Sequence, residues 1–216
     1  MKIASILASL TLATAVIVPA AHAATPEELI RPIQDQWAEI KYKTPEKQQE
    51  EGYNKLAQQA RKLAEQNPGV AEILVWEGIV LSSEAGAKGG LGALGLAKEA
   101  KAKLEEAMKL NDKALSGSAY TSLATLYAKV PGWPIGFGDK EKAEEYFRKS
   151  LSINPNGIDP NFFYGEYLMD RSRIGEARGY LEVASKAPAR PGRELADSGR
   201  RQEVQNLLAK LNKEGK

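Results

Sequence analysis

The sequence predicts an all-α protein, an α-solenoid of about four stacked helix pairs closed by a C-terminal capping helix. Three observations carry that expectation. Four 13-residue windows align without gaps and share small or apolar residues at their first, fifth and eighth positions. Each window is preceded by a second amphipathic segment, and no segment reads as a credible strand.

The windows are "LAQQARKLAEQNP" from Leu56, "AKAKLEEAMKLND" from Ala100, "AEEYFRKSLSINP" from Ala143 and "ARGYLEVASKAPA" from Ala177. Their first column holds Leu56, Ala100, Ala143 and Ala177, the fifth Ala60, Leu104, Phe147 and Leu181, the eighth Leu63, Ala107, Ser150 and Ala184. Spacings of four and three put these residues on one helix face, where small side chains admit a neighbouring helix around one larger plug. Asn67-Pro68, Asn111-Asp112 and Asn154-Pro155 stop three of the four helices, two of them because a residue before proline is pushed out of the helical region.

Taken from the N-terminus, residues 1–23 read as an export signal. Lys2 is followed by an apolar run from Ile3 to about Val18, and Ala21 and Ala23 flank His22 in an A-x-A cleavage pattern. No cysteine follows the run, so a lipoprotein anchor is excluded, and the run is shorter than the about 20 residues of a stable membrane span. The expected product is a periplasmic chain with no stable membrane span, beginning near Ala24, with a repeat array over 24–192 and a capping helix and tail over 193–216. Thr25-Pro26-Glu27-Glu28 forms a capping box with proline at the first helical position, and Leu29, Ile33, Trp37 and Ile40 make a stripe. Pro32 is expected to kink this helix or delay its start, and Thr44-Pro45 to open the next one in the same way. Partner helices follow in "AEILVWEGIV", "AYTSLATLYAKV" and "NFFYGEYLM", where Gly78, Ala124 or Gly165 precedes Leu81, Tyr127 or Leu168 by three positions. Asp139 is expected to cap a helix beginning at Lys140, Asn156-Gly157 to make a turn and Asp159-Pro160 to start a helix. The last segment carries Leu195, Val204, Leu207, Leu208 and Leu211 on one side and charge elsewhere, as a solvated cap would.

Small residues at the helix crossing, an A-x-x-x-F step at Ala143 to Phe147, and the 34-residue interval from Ala143 to Ala177 resemble the tetratricopeptide repeat, over roughly Thr44 to Ala189. The resemblance implies a helix-turn-helix array used for scaffolding and peptide capture. In layout the chain is also distantly similar to the T components of periplasmic solute (TRAP) transporters and to the regulator of microtubule dynamics family.

Composition narrows the chemistry. Removing Lys2 from 30 basic residues leaves 29 against 28 acidic ones, so no overall field favours nucleic acid or an anionic membrane, and no nucleic-acid partner is expected. His22 is the single histidine and there is no cysteine, so beyond residue 23 Ser-His-Asp and Cys-His catalysis and zinc sites with N/S ligands are excluded. No enzyme activity, cofactor or metal is expected. Glu166 and Asp170, four apart on one helix, are a candidate hydrolytic carboxylate pair but read better as helix surface. Asn154, Asn156 and Asp159 lack the spacing and charge of a calcium loop.

Two departures from the repeat point to the candidate site. The step from the small residue of the first helix to the first column of the second is twelve between Gly165 and Ala177, but 22 from Gly78 to Ala100 and 19 from Ala124 to Ala143. Two neighbouring turns therefore carry extra residues, and in a stacked array equivalent turns lie side by side and should touch. The first, "EAGAKGGLGALGLAKEA", contains a literal G-x-G-x-x-G, but without a preceding strand its glycines read as a turn, with Leu91, Leu94 and Leu96 lengthening the next helix. The second, "VPGWPIGFGD", has prolines that fix two φ angles and glycines that permit reversals, so an ordered, compact loop is expected. Its Trp133, Ile135 and Phe137 alternate, and eleven of the fifteen aromatic residues lie between Tyr120 and Tyr180. The candidate contact residues are Trp133, Ile135, Phe137, Tyr127, Tyr164 and Tyr167, with the alternative that Trp133 and Phe137 fold back to plug the stack. Arg190 and Arg193, with Arg200 and Arg201, are candidates for an acidic-peptide or anion site, against a solvated cap face. The leading expectation is a non-enzymatic periplasmic protein that binds an envelope protein or peptide; the alternative is a small-molecule or lipid-chain binding accessory of a transport system.

Overall fold

The computed structural model describes residues 24–214; the predicted export signal at 1–23 lies outside them. Among the described residues the chain is all-helical: α1 (Pro26–Lys43), α2 (Glu46–Gln66), α3 (Ala71–Lys88), α4 (Ala93–Leu110), α5 (Ala114–Lys129), α6 (Lys140–Ile153), α7 (Ile158–Asp170), α8 (Ile174–Ser185) and α9 (Glu194–Glu214). Each helix packs on the next. The first members of the pairs also touch along the array, α1 on α3, α3 on α5 and α5 on α7, while the backbones of α2, α4, α6 and α8 stand farther apart, with the long side chain of Arg61 on α2 reaching across to Glu99 on α4 at 2.9 Å. An array held together on one side and splayed on the other must curve, so α1, α3, α5 and α7 line its concave side.

The contact that builds each pair is visible at two glycines. A β-carbon placed on Gly78 would sit 2.6 Å from Leu104 Cγ and 3.2 Å from the Ala100 carbonyl; on Gly165 it would sit 2.8 Å from Leu181 Cγ and 3.4 Å from the Ala177 carbonyl. The same two columns therefore meet in the same way in two repeats. Leu104, Phe147 and Leu181 are fully buried, as are Ala107, Ser150 and Ala184 of the eighth column. Ser150 is the one polar plug, and its hydroxyl is paired with that of Thr121 at 2.5 Å inside the core.

Local chemistry explains most helix ends. The capping box forms: the Glu28 amide donates to Thr25 Oγ1 and the Thr25 amide to the Glu28 carboxylate. Asp139 caps α6 by accepting from the Glu141 and Lys142 amides. Two expectations are corrected. Pro32 does not delay α1, which runs from Pro26 through it, with Pro32 on the exposed face. Thr44 does not open α2 but closes α1, its hydroxyl donating to the Glu39 carbonyl, and Pro45 takes the N-terminal position without a side-chain cap.

The largest correction concerns α9. Val204 and Leu211 are buried on α8 as expected, but Ala196, Asp197 and Arg200 are buried as well, because α9 also packs on α7 and α1. It crosses the concave side and joins the two ends of the array. Arg31 of α1 donates to the Gly192 carbonyl at 2.6 Å and Tyr42 to Glu203 at 3.2 Å, and the Tyr42 ring lies against the backbone of Gly199.

These contacts fix an expectation for stability. Gly78→Ala should lower the unfolding free energy by about 1–3 kcal/mol, because the added methyl meets Leu104. Gly86→Ala, on the same helix with open space around it, should raise it by up to about 1 kcal/mol. Urea denaturation of both variants measures this, and equal effects would remove the crossing argument.

Candidate functional site

The extra residues after Gly78 go mostly into helix. α3 continues to Lys88 and α4 begins at Ala93, which leaves a four-residue turn, Gly89 to Gly92, with Gly89 and Gly90 at φ +64° and +59°. Leu94 and Leu96 lie in α4, whereas Leu91 stands at the tip of the turn, 82% exposed. No strand precedes the glycines, so the dinucleotide fingerprint lacks its structural context among the described residues.

The extra residues after Ala124 form a closed loop. The Ile135 and Gly136 amides both donate to the Gly132 carbonyl at 3.1 Å, the Gly138 amide to Pro131 at 2.9 Å and the Asp139 amide to Tyr127 at 2.9 Å; the Trp133–Pro134 peptide bond is cis. A β-carbon at Gly138 would overlap the Val130 carbonyl oxygen, so this closure requires glycine there. Phe137 turns inward, meeting the buried Tyr127 ring edge-on at 5.6 Å, and the Lys101 ammonium lies 5.9 Å from both rings. Trp133 and Ile135 turn outward, 90% and 56% exposed. The loop lies beside the first turn of α4, just after the Gly89–Gly92 turn: a β-carbon at Gly136 would lie 3.3 Å from Leu94 Cδ1. Exposed Leu91, three residues before Leu94, and exposed Trp133 and Ile135, beside Gly136, therefore belong to the same edge of the array.

The other predicted contact residues are placed differently. Tyr127, Tyr164 and Tyr167 are buried. Tyr164 donates to Glu144 at 3.1 Å and stands 5.4 Å from the Phe147 ring, and Tyr167 donates to the Lys140 carbonyl at 2.9 Å. Tyr164 and Tyr167 are core residues with satisfied hydroxyls, because positions 164 and 167 flank the Gly165 crossing. Glu166 and Asp170 share Lys129, at 3.4 and 3.0 Å, as a surface ion cluster.

The arginines are also committed internally. Arg190 bridges Asp159 at 2.7 Å and Asp197 at 2.6 Å, and Arg200 bridges Asp159 at 2.9 Å and Glu203 at 2.7 Å. The Arg200 guanidinium lies 4.3 and 4.5 Å from the Phe162 and Phe163 rings, and Arg193 lies 4.9 Å from the Trp76 ring. Arg201 donates to the Ala187 carbonyl. Arg190, Arg193 and Arg200 therefore tie α9 and the segment before it to α7 and α3. Asp159 and Pro160 lie in the first turn of α7, as expected, with Gly157 at the N-cap, and the Asp159 carboxylate is also the hub of this group.

Burial alone would raise the Asp159 carboxyl, but Arg200 and Arg190 outweigh it and hold the group at about 2. A carboxylate depressed in the fold contributes stability that is present above its unfolded value near 4 and lost as pH falls toward 2. Asp159→Asn should therefore cost roughly 3 kcal/mol at neutral pH, because it removes the carboxylate that buried Arg200 and Arg190 share, and the deficit should shrink as pH falls through that window. Urea midpoints of both proteins across the acid range test this; a deficit independent of pH would refute the charge assignment.

Neither a protein-family model nor a curated protein matches this chain, so its fold rests on the helices and contacts described above.

Proposed function

We propose that the chain is an exported, non-enzymatic repeat protein of the tetratricopeptide kind, which docks to a component of the cell envelope through the edge bearing Leu91, Trp133 and Ile135. One observation carries this reading: an almost fully exposed tryptophan on a loop that its own hydrogen bonds hold in one shape. A flexible tip would expose apolar surface only transiently, whereas here a large amphipathic ring is held out of the core on a scaffold. The repeated crossing at Gly78 and Gly165 supports the family reading, and the signal-like residues 1–23 support export. The lack of histidine and cysteine after residue 23, with Glu166 and Asp170 bound to Lys129, supports a binding role over catalysis. Peptide capture on the concave side has less support, since α9 lies there.

A photo-crosslinking side chain at position 133 tests the reading in intact cells. It should capture an envelope component, while the same group at exposed Lys62 on α2 should not. No adduct at 133 above the Lys62 background would overturn the proposal. Trp133→Ala should shift stability by no more than about 0.5 kcal/mol, because the ring is outside the core.

A further inference from the structure

We infer that the component met at this edge is an anionic phospholipid surface, entered by the side chains of Trp133, Ile135 and Leu91. The inference rests on the docking role proposed above and names its partner chemistry.

Shape is the first argument. Trp133, Ile135 and Leu91 stand on two tight turns at one edge, 90%, 56% and 82% exposed, so they present protruding apolar side chains rather than a hollow. A bilayer interface receives such a tip readily, with tryptophan favoured at the level of the headgroups, where its ring meets acyl chain and its N–H meets water. A protein partner would need a hollow of matching depth.

Backbone chemistry is the second. Entering the interface is costly for unpaired peptide groups. In this loop the Ile135, Gly136 and Gly138 amides are bonded within the loop and Asp139's to Tyr127, and Pro131 and Pro134 have no amide hydrogen at all. Three of the six amide donors from Gly132 to Gly138 are thus bonded within the loop, which lowers the cost of entry.

Charge is the third. From Ala85 to Lys98 the chain carries Lys88 and Lys98 and no acidic residue. Lys98 is exposed, one helical turn beyond the Leu94 that touches the loop and one turn before the Lys101 that lies over Phe137, so it shares the loop's face of α4. Lys140 is exposed at the loop's other end and donates to the Ala128 carbonyl, and Lys88 pairs with exposed Glu50. Asp139, the acid inside the loop, has its carboxylate occupied by two backbone amides; Glu141 is the exposed acid beside it. Cationic side chains set behind an apolar tip meet lipid phosphates when the tip enters. With a chain that is near neutral overall, attachment depends on this edge and is reversible.

Trp133 provides its own reporter, since Trp37 and Trp76 are buried. The chain from Ala24, which contains all the described helices, is mixed with vesicles of phosphatidylethanolamine and phosphatidylglycerol, or of phosphatidylcholine alone. Starting at Ala24 keeps the apolar run of 1–23 out of the measurement. Anionic vesicles should shift tryptophan emission to the blue and carry the protein down on sedimentation; phosphatidylcholine should do so at least several-fold more weakly. Trp133→Ala/Ile135→Ala should lower partitioning more than roughly tenfold, and Lys98→Gln about fivefold, the usual effect of one surface lysine. Circular dichroism checks that the variants fold, and Lys98→Gln with the parent's emission keeps the test decisive if the double variant does not. Unchanged emission with both vesicle types overturns the inference, as does equal binding to both. A protein adduct at position 133 without vesicle binding removes the lipid and leaves the docking role standing; no adduct and no binding remove both.

Discussion

Two helices can stack closely as a repeat only where one of them carries hydrogen or a single methyl at the crossing, and that constraint, met by Gly78, Ala124 and Gly165, organises this protein. At Gly78 and Gly165 the backbone of the first helix rests on Leu104 and Leu181 of the second, with a carbonyl of the second helix filling the remaining space. Close crossing sets the angle within each pair. Repetition of that angle brings α1, α3, α5 and α7 into contact and keeps the second helices apart, and the curvature follows. Equivalent turns are then neighbours, so residues added at two of them, 42 apart from Leu91 to Trp133 in sequence, become one surface.

Curvature also makes room for α9. An open stack would leave Phe162, Trp76 and Tyr42 facing solvent on the concave side. α9 covers them with a polar face as much as an apolar one: Arg200 sits between Asp159 and Glu203 and against two phenylalanine rings, and Arg193 lies on Trp76. Asp159 holds two guanidinium groups from α9 and the segment before it, and its depressed carboxyl records how strongly that charge is compensated. Closure of the array thus relies on ionic pairing, while each helix pair relies on apolar fit.

Much of the fold was legible because periodicity and capping are local. The stripe from Ile33 to Trp37, the box at Thr25, the cap at Asp139 and the columns through Ala143, Phe147 and Ser150 each concern residues within one or two helical turns. The candidate edge was legible in part: counting residues between Gly78 and Ala100 and between Ala124 and Ala143 located both turns. Whether an aromatic residue there faces in or out was not. Phe137 found Tyr127 and Trp133 found solvent, although both belong to the same alternating run, because a tight glycine-closed loop does not keep a strand's two faces. Tyr164 and Tyr167 misled in the opposite direction, since aromatic density in sequence says nothing of which ring lies beside the crossing glycine. Nor did any local signal mark the left-handed turn at Leu115, Ser116 and Gly117, where α5 begins pressed against Ile153.

By itself, then, the sequence determined an all-helical chain, the pairing of its helices, the place of two enlarged turns, and the absence of histidine and cysteine chemistry after residue 23, because each follows from spacing or residue type. Only the tertiary structure decided that α9 folds across the concave side, that Arg190 and Arg193 serve the interior, and that Leu91, Trp133 and Ile135 stand together at one edge. Those outcomes depend on which distant residues the array's curvature brings together, and curvature is the sum of small crossing angles over every pair, a quantity that no single segment contains.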